Sequence, residues 1–565
     1  MSPVLPAPVL DRSPVAPPPP PVESRRAGGL GAVAAVAVPG SVLAAHAWAY
    51  GRWIVDDAAI TFAYARSVAE GLGPVLQPGA DPVEGYSNPA WLALLVVGRL
   101  LGLFDHGSWW GVPDLVAFPK LLALLCALGV FACFHAIARV LTRRPALVAA
   151  VAGVVLACVP SWVVWLMSGL ENGLLALATA GIATVLARAV AAGGLLRAGP
   201  AVACGLLAAL AALTRPDGLI YAGAYPVAVL LLRGGEPVRR VLSAAVVGVV
   251  AFALPAGAYL AWRISAFGEP LPNTALAKAQ GTPGLDAFER PVELAGYLGP
   301  VPVVVATALV VVALARPWPA RAALGVLLVP FGLAVAAHAI LEQDWMGQQR
   351  FATPVWTLGV IVTVAAAARV VRVLAPRWRA PAVGALVVAT VASGAALVGD
   401  VRDFRARPTV PMCLVAEVGH AADGYADRLG LASGTVLAPD IGGLALTTRL
   451  TVVDLVGLAD APIARHWAAQ DMPALRDHVF DTVQPTMIMA HSHWLTTTGI
   501  DTDPRITRDY ARVAWTVDGG HWVRRTAIPS RPTLHTLRDY ATQTVRPADA
   551  AARRSPRASC PTAQR

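Results

Sequence analysis

Val55-Asp56-Asp57-Ala58-Ala59-Ile60-Thr61-Phe62 follows directly on a hydrophobic segment that runs from Leu30 to Tyr50. Adjacent carboxylates at a membrane boundary are costly to desolvate, so they must face water or a polar cavity. Asp57 also suits an N-cap, because its carboxylate can accept the orphan amides of a first helical turn. The spacing predicts a helix from Ala58 to Glu70, stopped by Gly71. Ile60, Tyr64 and Val68 would form one apolar stripe, as in a helix lying along a surface. A capped helix start accounts for the Asp pair as well as a functional site does; the rest of the chain decides between them.

Composition fixes the class. Of 565 residues, 56% are hydrophobic and 14% are charged, against about 25% charged in soluble domains. The chain reads as a polytopic membrane protein. Lys120 and Lys278 are its only lysines, and the Arg, Ala, Val and Pro bias suits a high-GC bacterial genome. The net charge of +10 is no nucleic-acid signal. The arginines cluster between hydrophobic stretches, as the positive-inside rule expects.

Those stretches run 29–50, 117–140, 146–166, 173–192, 199–213, 218–232, 241–262, 300–315, 322–340, 352–373 and 381–399. Residues 91–104 are shorter and read as an incomplete crossing. The expectation is a mainly α bundle of about eleven transmembrane helices in the bacterial plasma membrane, residues 29–399. Residues 1–28, Pro-rich and basic at their end, read as a disordered cytoplasmic tail. An odd number of crossings puts a small α/β domain, residues 400–545, outside the cytoplasm, with 546–565 as a disordered end. Strands are expected at 434–438, 451–455 and 486–490, with Asp440 capping a short helix between the first two. Cys413 and Cys560 could pair if that side is oxidising. His491 and His493 would share one strand face, but no third metal ligand is evident.

With this topology the polar loops converge at one mouth of the bundle. They contain Glu84, Tyr86 and Asn88; Glu171; Arg215 and Asp217; Asn273 and Lys278; and Asp344, Trp345 and Arg350. Each alone has an ordinary reading as turn chemistry, a snorkelling cation or an interfacial tryptophan. Together they suggest a site.

The block Asp56-Asp57-Ala58-Ala59-Ile60-Thr61-Phe62-Ala63-Tyr64-Ala65-Arg66, with Gly71-Leu72-Gly73, Gln77-Pro78-Gly79 and Val83-Glu84-Gly85-Tyr86-Ser87-Asn88, resembles the first outer loop of a GT-C glycosyltransferase family. That family includes the terminal arabinofuranosyltransferase of the mycobacterial cell wall. Ser168-Gly169-Leu170-Glu171, Thr214-Arg215-Pro216-Asp217-Gly218, Leu271-Pro272-Asn273-Thr274 and Arg350-Phe351 resemble its later loops, in the same order. The chain departs from it at Asn172 and Gln343, and after about residue 470 nothing matches.

The resemblance implies a GT-C fold, a sugar donor carried on polyprenyl phosphate, and transfer to a glycan acceptor at the outer face. Arabinofuranose is the first choice of sugar, with mannose or another hexose open. Glycosyl transfer needs a carboxylate to take the acceptor proton, or to hold a divalent metal that assists. Asp56 and Asp57 are the candidates, Asp56 the freer if Asp57 caps the helix. The departing lipid phosphate needs cations, for which Arg215, Lys278 and Arg350 are the candidates. Glu84, Tyr86, Asn88, Glu171, Asp217, Asn273, Asp344 and Trp345 are left to line the substrate pocket. A transporter or flippase of lipid-linked sugars is the alternative, but no internal repeat supports it.

Overall fold

A computed structural model of the chain describes residues 27–278, 289–342, 345–516, 519–548 and 550. Among them, seven helices are long and apolar enough to cross a membrane: Gly29–Trp48, Asp114–Leu141, Asn172–Ala191, Val238–Phe267, Arg321–Ile340, Arg350–Val373 and Pro376–Ala406. Two bent pairs bring the number to nine: Pro145–Ala157 with Pro160–Leu166, and Glu289–Leu298 with Pro300–Ala315, at 79° and 102°. In both, the second helix opens on a proline, which has no N–H to continue the helix before it. The expected spans 199–213 and 218–232 are the shorter helices Ala198–Thr214 and Pro216–Leu231. At 17 residues the first rises only about 26 Å, short of a full hydrocarbon core. The chain is a multi-pass membrane protein.

Four elements shape the mouth of the bundle: α1 (Ala27–Trp48), α2 (Asp56–Ala69), α3 (Pro89–Leu100) and α4 (Asp114–Leu141). At 12 residues, α3 is too short to cross, as expected of residues 91–104. A two-residue ribbon, β1 (Ser108–Trp109) and β2 (Val112–Pro113), leads into α4.

Helix α2 differs from its sequence reading in two respects. It starts at Asp56, not Ala58, and no side chain caps its N-terminus, so Asp57 belongs to the first turn. Nor does it lie along a surface with one stripe inward: Ala58, Ala59, Ile60, Phe62, Ala63, Tyr64 and Ala65 are all buried. The alanines let neighbours approach on every side. Periodicity reports only the large side chains, so it missed the small faces.

The C-terminal part carries a five-stranded sheet in the order β4-β3-β5-β7-β6. Its strands are β3 (Thr435–Ala438), β4 (Thr451–Asp454), β5 (Met487–His491), β6 (Tyr510–Trp515) and β7 (Gly519–Arg524). The first three are parallel; β7 pairs antiparallel with both β5 and β6. The first three match the expected strands, and β6 and β7 had no counterpart in the sequence reading. Cys413 is disulfide-bonded, while Cys560 lies outside the described residues. Cys126, Cys133, Cys158 and Cys204 are free thiols.

Candidate active site

The first turn of α2 is built by partners distant in sequence. The amide of Val55 donates to Ser168 O at 3.0 Å and that of Asp56 to Val410 O at 2.9 Å. The Asp56 carboxylate is buried and accepts twice, from Gly443 N at 2.7 Å and Gly442 N at 3.0 Å. It thereby caps the short helix Gly442–Thr447, the role expected of Asp440. Asp440 instead binds His491 Nε2 at 2.7 Å. A Cβ on Gly442 would sit 2.1 Å from Asp56 O, so only glycine permits this approach. Burial first, and then the charge of Asp440, pushes the Asp56 carboxyl well above its usual range, against the pull of the two amides.

Asp57 points elsewhere, since successive helix positions are about 100° apart. Its Oδ2 lies 3.8 Å from Lys278 Nζ, and both side chains are partly in solvent, 19% and 44% exposed. The condition under which Asp56 would be the freer carboxylate, a cap by Asp57, is not met: Asp56 accepts from two backbone amides, and Asp57 lies beside the Lys278 ammonium.

One turn along α2 from Asp57, on the same face, Thr61 Oγ1 donates to Asn88 Oδ1 at 3.3 Å. Asn88 Nδ2 donates to Glu171 Oε2 at 2.8 Å. Glu171 Oε1 lies 3.3 Å from both Arg215 Nη1 and Arg350 Nη2. Arg215 Nε also pairs with Asp217 Oδ1 at 2.8 Å, and its guanidinium lies 4.5 Å over the Phe351 ring. Burial alone would raise the Glu171 carboxyl, but Arg350, Arg215 and Asn88 hold it below its usual value.

A third group was only half legible. Glu84 is buried beside Arg263, with Nε 2.5 Å from Oε2, and accepts from Tyr259 Oη at 2.6 Å. Burial raises the Glu84 carboxyl against the pull of these two. Tyr259 and Arg263 sit in the last turns of helix Val238–Phe267; Tyr259 falls inside the apolar stretch 241–262 and Arg263 directly after it. The signal was present: an arginine at the end of such a span marks a polar partner. Tyr86 is buried edge-on to Tyr64, centroids 5.1 Å apart. Asn273 is a staple: Nδ2 donates to the carbonyls of Gly457 (2.6 Å) and Leu458 (3.0 Å), and its amide to Glu84 O at 3.1 Å. Trp345 is 51% exposed, and Asp344 lies outside the described residues.

Both Asp56 oxygens face N–H donors and Asp57 faces an ammonium. No group of three or more His, Cys, Asp or Glu fit to hold an ion occurs among the described residues. His491 ends β5 and His493 lies in helix Ser492–Thr498, so they do not share a strand face.

ArnT from Cupriavidus metallidurans in the apo state superposes with a TM-score of 0.55 at 15% identity, over 88% of this chain and 97% of ArnT. The apo oligosaccharyltransferase of Archaeoglobus fulgidus gives 0.53 at 11% identity, over 91% of this chain and 77% of that one. The fold is of the GT-C type. Archaeal AglB from the same organism, in complex with an inhibitory peptide and a dolichol-phosphate, gives 0.51 at 10% identity, over 92% of this chain and 78% of its own. A family model described as a domain of unknown function (DUF8728) matches residues 417–543. No curated protein sequence matches the chain. On the GT-C scaffold, Asn88, Glu171, Arg215, Asp217 and Arg350 form one linked cluster, Asp57 faces Lys278, and Asp56 and Asn273 reach the segments that follow β3 and β4.

Proposed function

We propose that this protein is a membrane glycosyltransferase that moves a sugar from a polyprenyl-phosphate donor to a hydroxyl of a cell-envelope glycan at the outer face of the plasma membrane. The observation that carries the reading is the partly exposed Asp57–Lys278 pair, one helical turn from the Thr61–Asn88–Glu171 chain. Asp57 takes the proton of the acceptor hydroxyl. The acceptor oxygen bonds to the sugar C1 as the C1–O bond to phosphate breaks, and polyprenyl phosphate leaves as the anion. Lys278 offsets its negative charge as a mobile point charge. Arg215 and Arg350 are committed to Glu171 and Asp217; their role is to fix the wall of the donor pocket and add positive field behind it. Glu84, Tyr86, Asp217, Asn273 and Trp345 frame the sugar pocket.

The dolichol-phosphate bound by AglB, a protein of the same fold, supports a lipid-phosphate carrier here. The first-loop resemblance supports arabinofuranose as the sugar and a cell-wall arabinan as the acceptor. The test is release of decaprenyl phosphate from decaprenyl-phosphoryl arabinose by membranes carrying the protein, with a short arabinan as acceptor. Wild type turns over, and Asp57→Asn does so at least about a hundredfold more slowly, about 2.7 kcal/mol of barrier. Wild-type protein that cleaves no lipid-linked pentose or hexose sinks the reading.

A further inference from the structure

The three parallel strands β4, β3 and β5 end at one edge of the sheet, on Asp454, just before Asp440, and on His491. The crevice beyond the carboxyl ends of parallel strands is where open α/β sheets bind their ligands. Asp454 is engaged in its own loop, accepting from Val456 N at 2.9 Å and Ala459 N at 2.8 Å. Asp440 and His491 are bonded to each other across the strand ends at 2.7 Å, with 19% and 34% of their side chains exposed.

This edge is turned toward the candidate active site. Two residues beyond Asp440, the amides of Gly442 and Gly443 hold Asp56. The carbonyls of Gly457 and Leu458, beyond β4, hold Asn273. The charge of Asp440 is felt at Asp56. Directly after His491, Ser492 takes a φ of +55°, an unfavourable region for serine. That turn drives the chain straight from β5 into helix Ser492–Thr498 and leaves Ser492 and His493 exposed at the same edge. Backbone of this kind persists where the surroundings over-determine it, often at ligand sites.

We infer that the Asp440–His491 pair is a binding site for the glycan acceptor, presenting an imidazole and a carboxylate to sugar hydroxyls so that the reacting one is directed to Asp57. The inference rests on the transferase reading above. The stretch matched by the domain of unknown function then supplies the acceptor side of a site whose donor side is built by the membrane helices. Asp440 orients the ring, because a carboxylate on one imidazole nitrogen fixes tautomer and direction. Both are binding and positioning residues; the proton of the reacting hydroxyl still goes to Asp57.

The experiment uses the full chain in lipid nanodiscs with decaprenyl-phosphoryl arabinose as donor and a short linear arabinan as acceptor, comparing wild type, His491→Gln and Asp440→Asn. The KM for arabinan rises at least about tenfold in both variants, while the donor KM moves less than about twofold. If His491→Gln does not fold, Asp440→Asn, nearly isosteric, carries the measurement alone. An unchanged arabinan KM, or an equal rise in both KM values, overturns the inference and leaves the pair a tie between β3 and β5. Arabinan binding is also measured without donor, by saturation-transfer NMR. Binding lost in the variants supports the site even where no donor is cleaved, so the two readings fail separately; a wild type that binds no arabinan overturns this one.

Discussion

Asp57 and Lys278 face each other at 3.8 Å with both side chains partly in solvent, whereas Glu171 is buried and holds Arg215, Arg350 and Asn88 at once. Both regions gather opposite charges at the mouth of the bundle. In the first, both side chains are partly solvated, and an exposed pair of this kind contributes about 1 kcal/mol or less to stability. In the second, both carboxylate oxygens of Glu171 have partners, and Arg215 is shared between Glu171 and Asp217. A group that must change protonation during turnover cannot be locked by neighbours that favour one state; a group that holds a wall in place should be. On the proposed function, the contrast separates the group that takes the proton from its frame and puts Asp56, held by two amides, with the frame.

The largest effect expected is on the frame. Glu171→Gln leaves two buried guanidinium groups facing one neutral amide, and removing one partner of a buried ion pair costs about 3–5 kcal/mol. The thermal midpoint of the purified protein should drop sharply, with loss of activity following loss of folded protein. A variant as stable as wild type would erase the distinction between the two regions, because Glu171 would then be as loosely coupled as Asp57.

Next comes the exchange of roles between neighbours. Asp57→Asn should lower turnover at least about a hundredfold, about 2.7 kcal/mol, and leave the thermal midpoint nearly unchanged. Asp56→Asn should do the reverse. It keeps one acceptor oxygen for the Gly442 and Gly443 amides but turns an NH2 toward the other, a buried mismatch of about 1–3 kcal/mol. Stability falls and the turnover of the folded fraction is largely retained. Gly442→Ala, whose Cβ would meet Asp56 O at 2.1 Å, should reproduce the Asp56→Asn defect from the opposite side of the contact. Turnover lost in Asp56→Asn at full stability would move the base to Asp56.

How far each region could be read in the sequence follows from the range of its contacts. The bundle was legible because apolar length is a local property. The two short helices are the least legible part of it, since hydropathy does not measure whether a 17-residue helix reaches both interfaces. Asp56, Glu171, Arg215 and Arg350 stood out as charges beside apolar stretches, but their pairing did not: Asp56 meets Gly442 across 386 positions, and no local pattern encodes that. Asp440 was read as a cap because it precedes a helix, and the cap arrived from Asp56 instead. Tyr259 was hidden inside the span 241–262 by the apolar residues around it, and Arg263, one residue beyond, was passed over as an ordinary end of that span. Strands β6 and β7 alternate too weakly to be seen, with β7 buried along most of its length.

The smallest effect expected, a few degrees in melting temperature, separates the two regions by pH. The native state holds Glu171 below its usual value, so its contribution to stability is fully present above the unfolded value near about 4.3 and is lost as pH falls through the lower native one. Asp56 runs the other way. Its native value is raised, chiefly by burial, so its contribution is full below the unfolded value of about 3.9 and declines as pH rises toward the native one. Melting of wild type, Asp56→Asn and Glu171→Gln between about pH 3.5 and 8 reads both. Above about pH 4, the wild-type midpoint should decline with pH more than that of Asp56→Asn. Below it, the wild-type midpoint should decline faster than that of Glu171→Gln, which has no carboxylate to protonate. Parallel curves in the upper range would mean that the amides of Gly442 and Gly443 fully offset the burial of Asp56, and Asp56 would then hold its charge as firmly as the Glu171 cluster does.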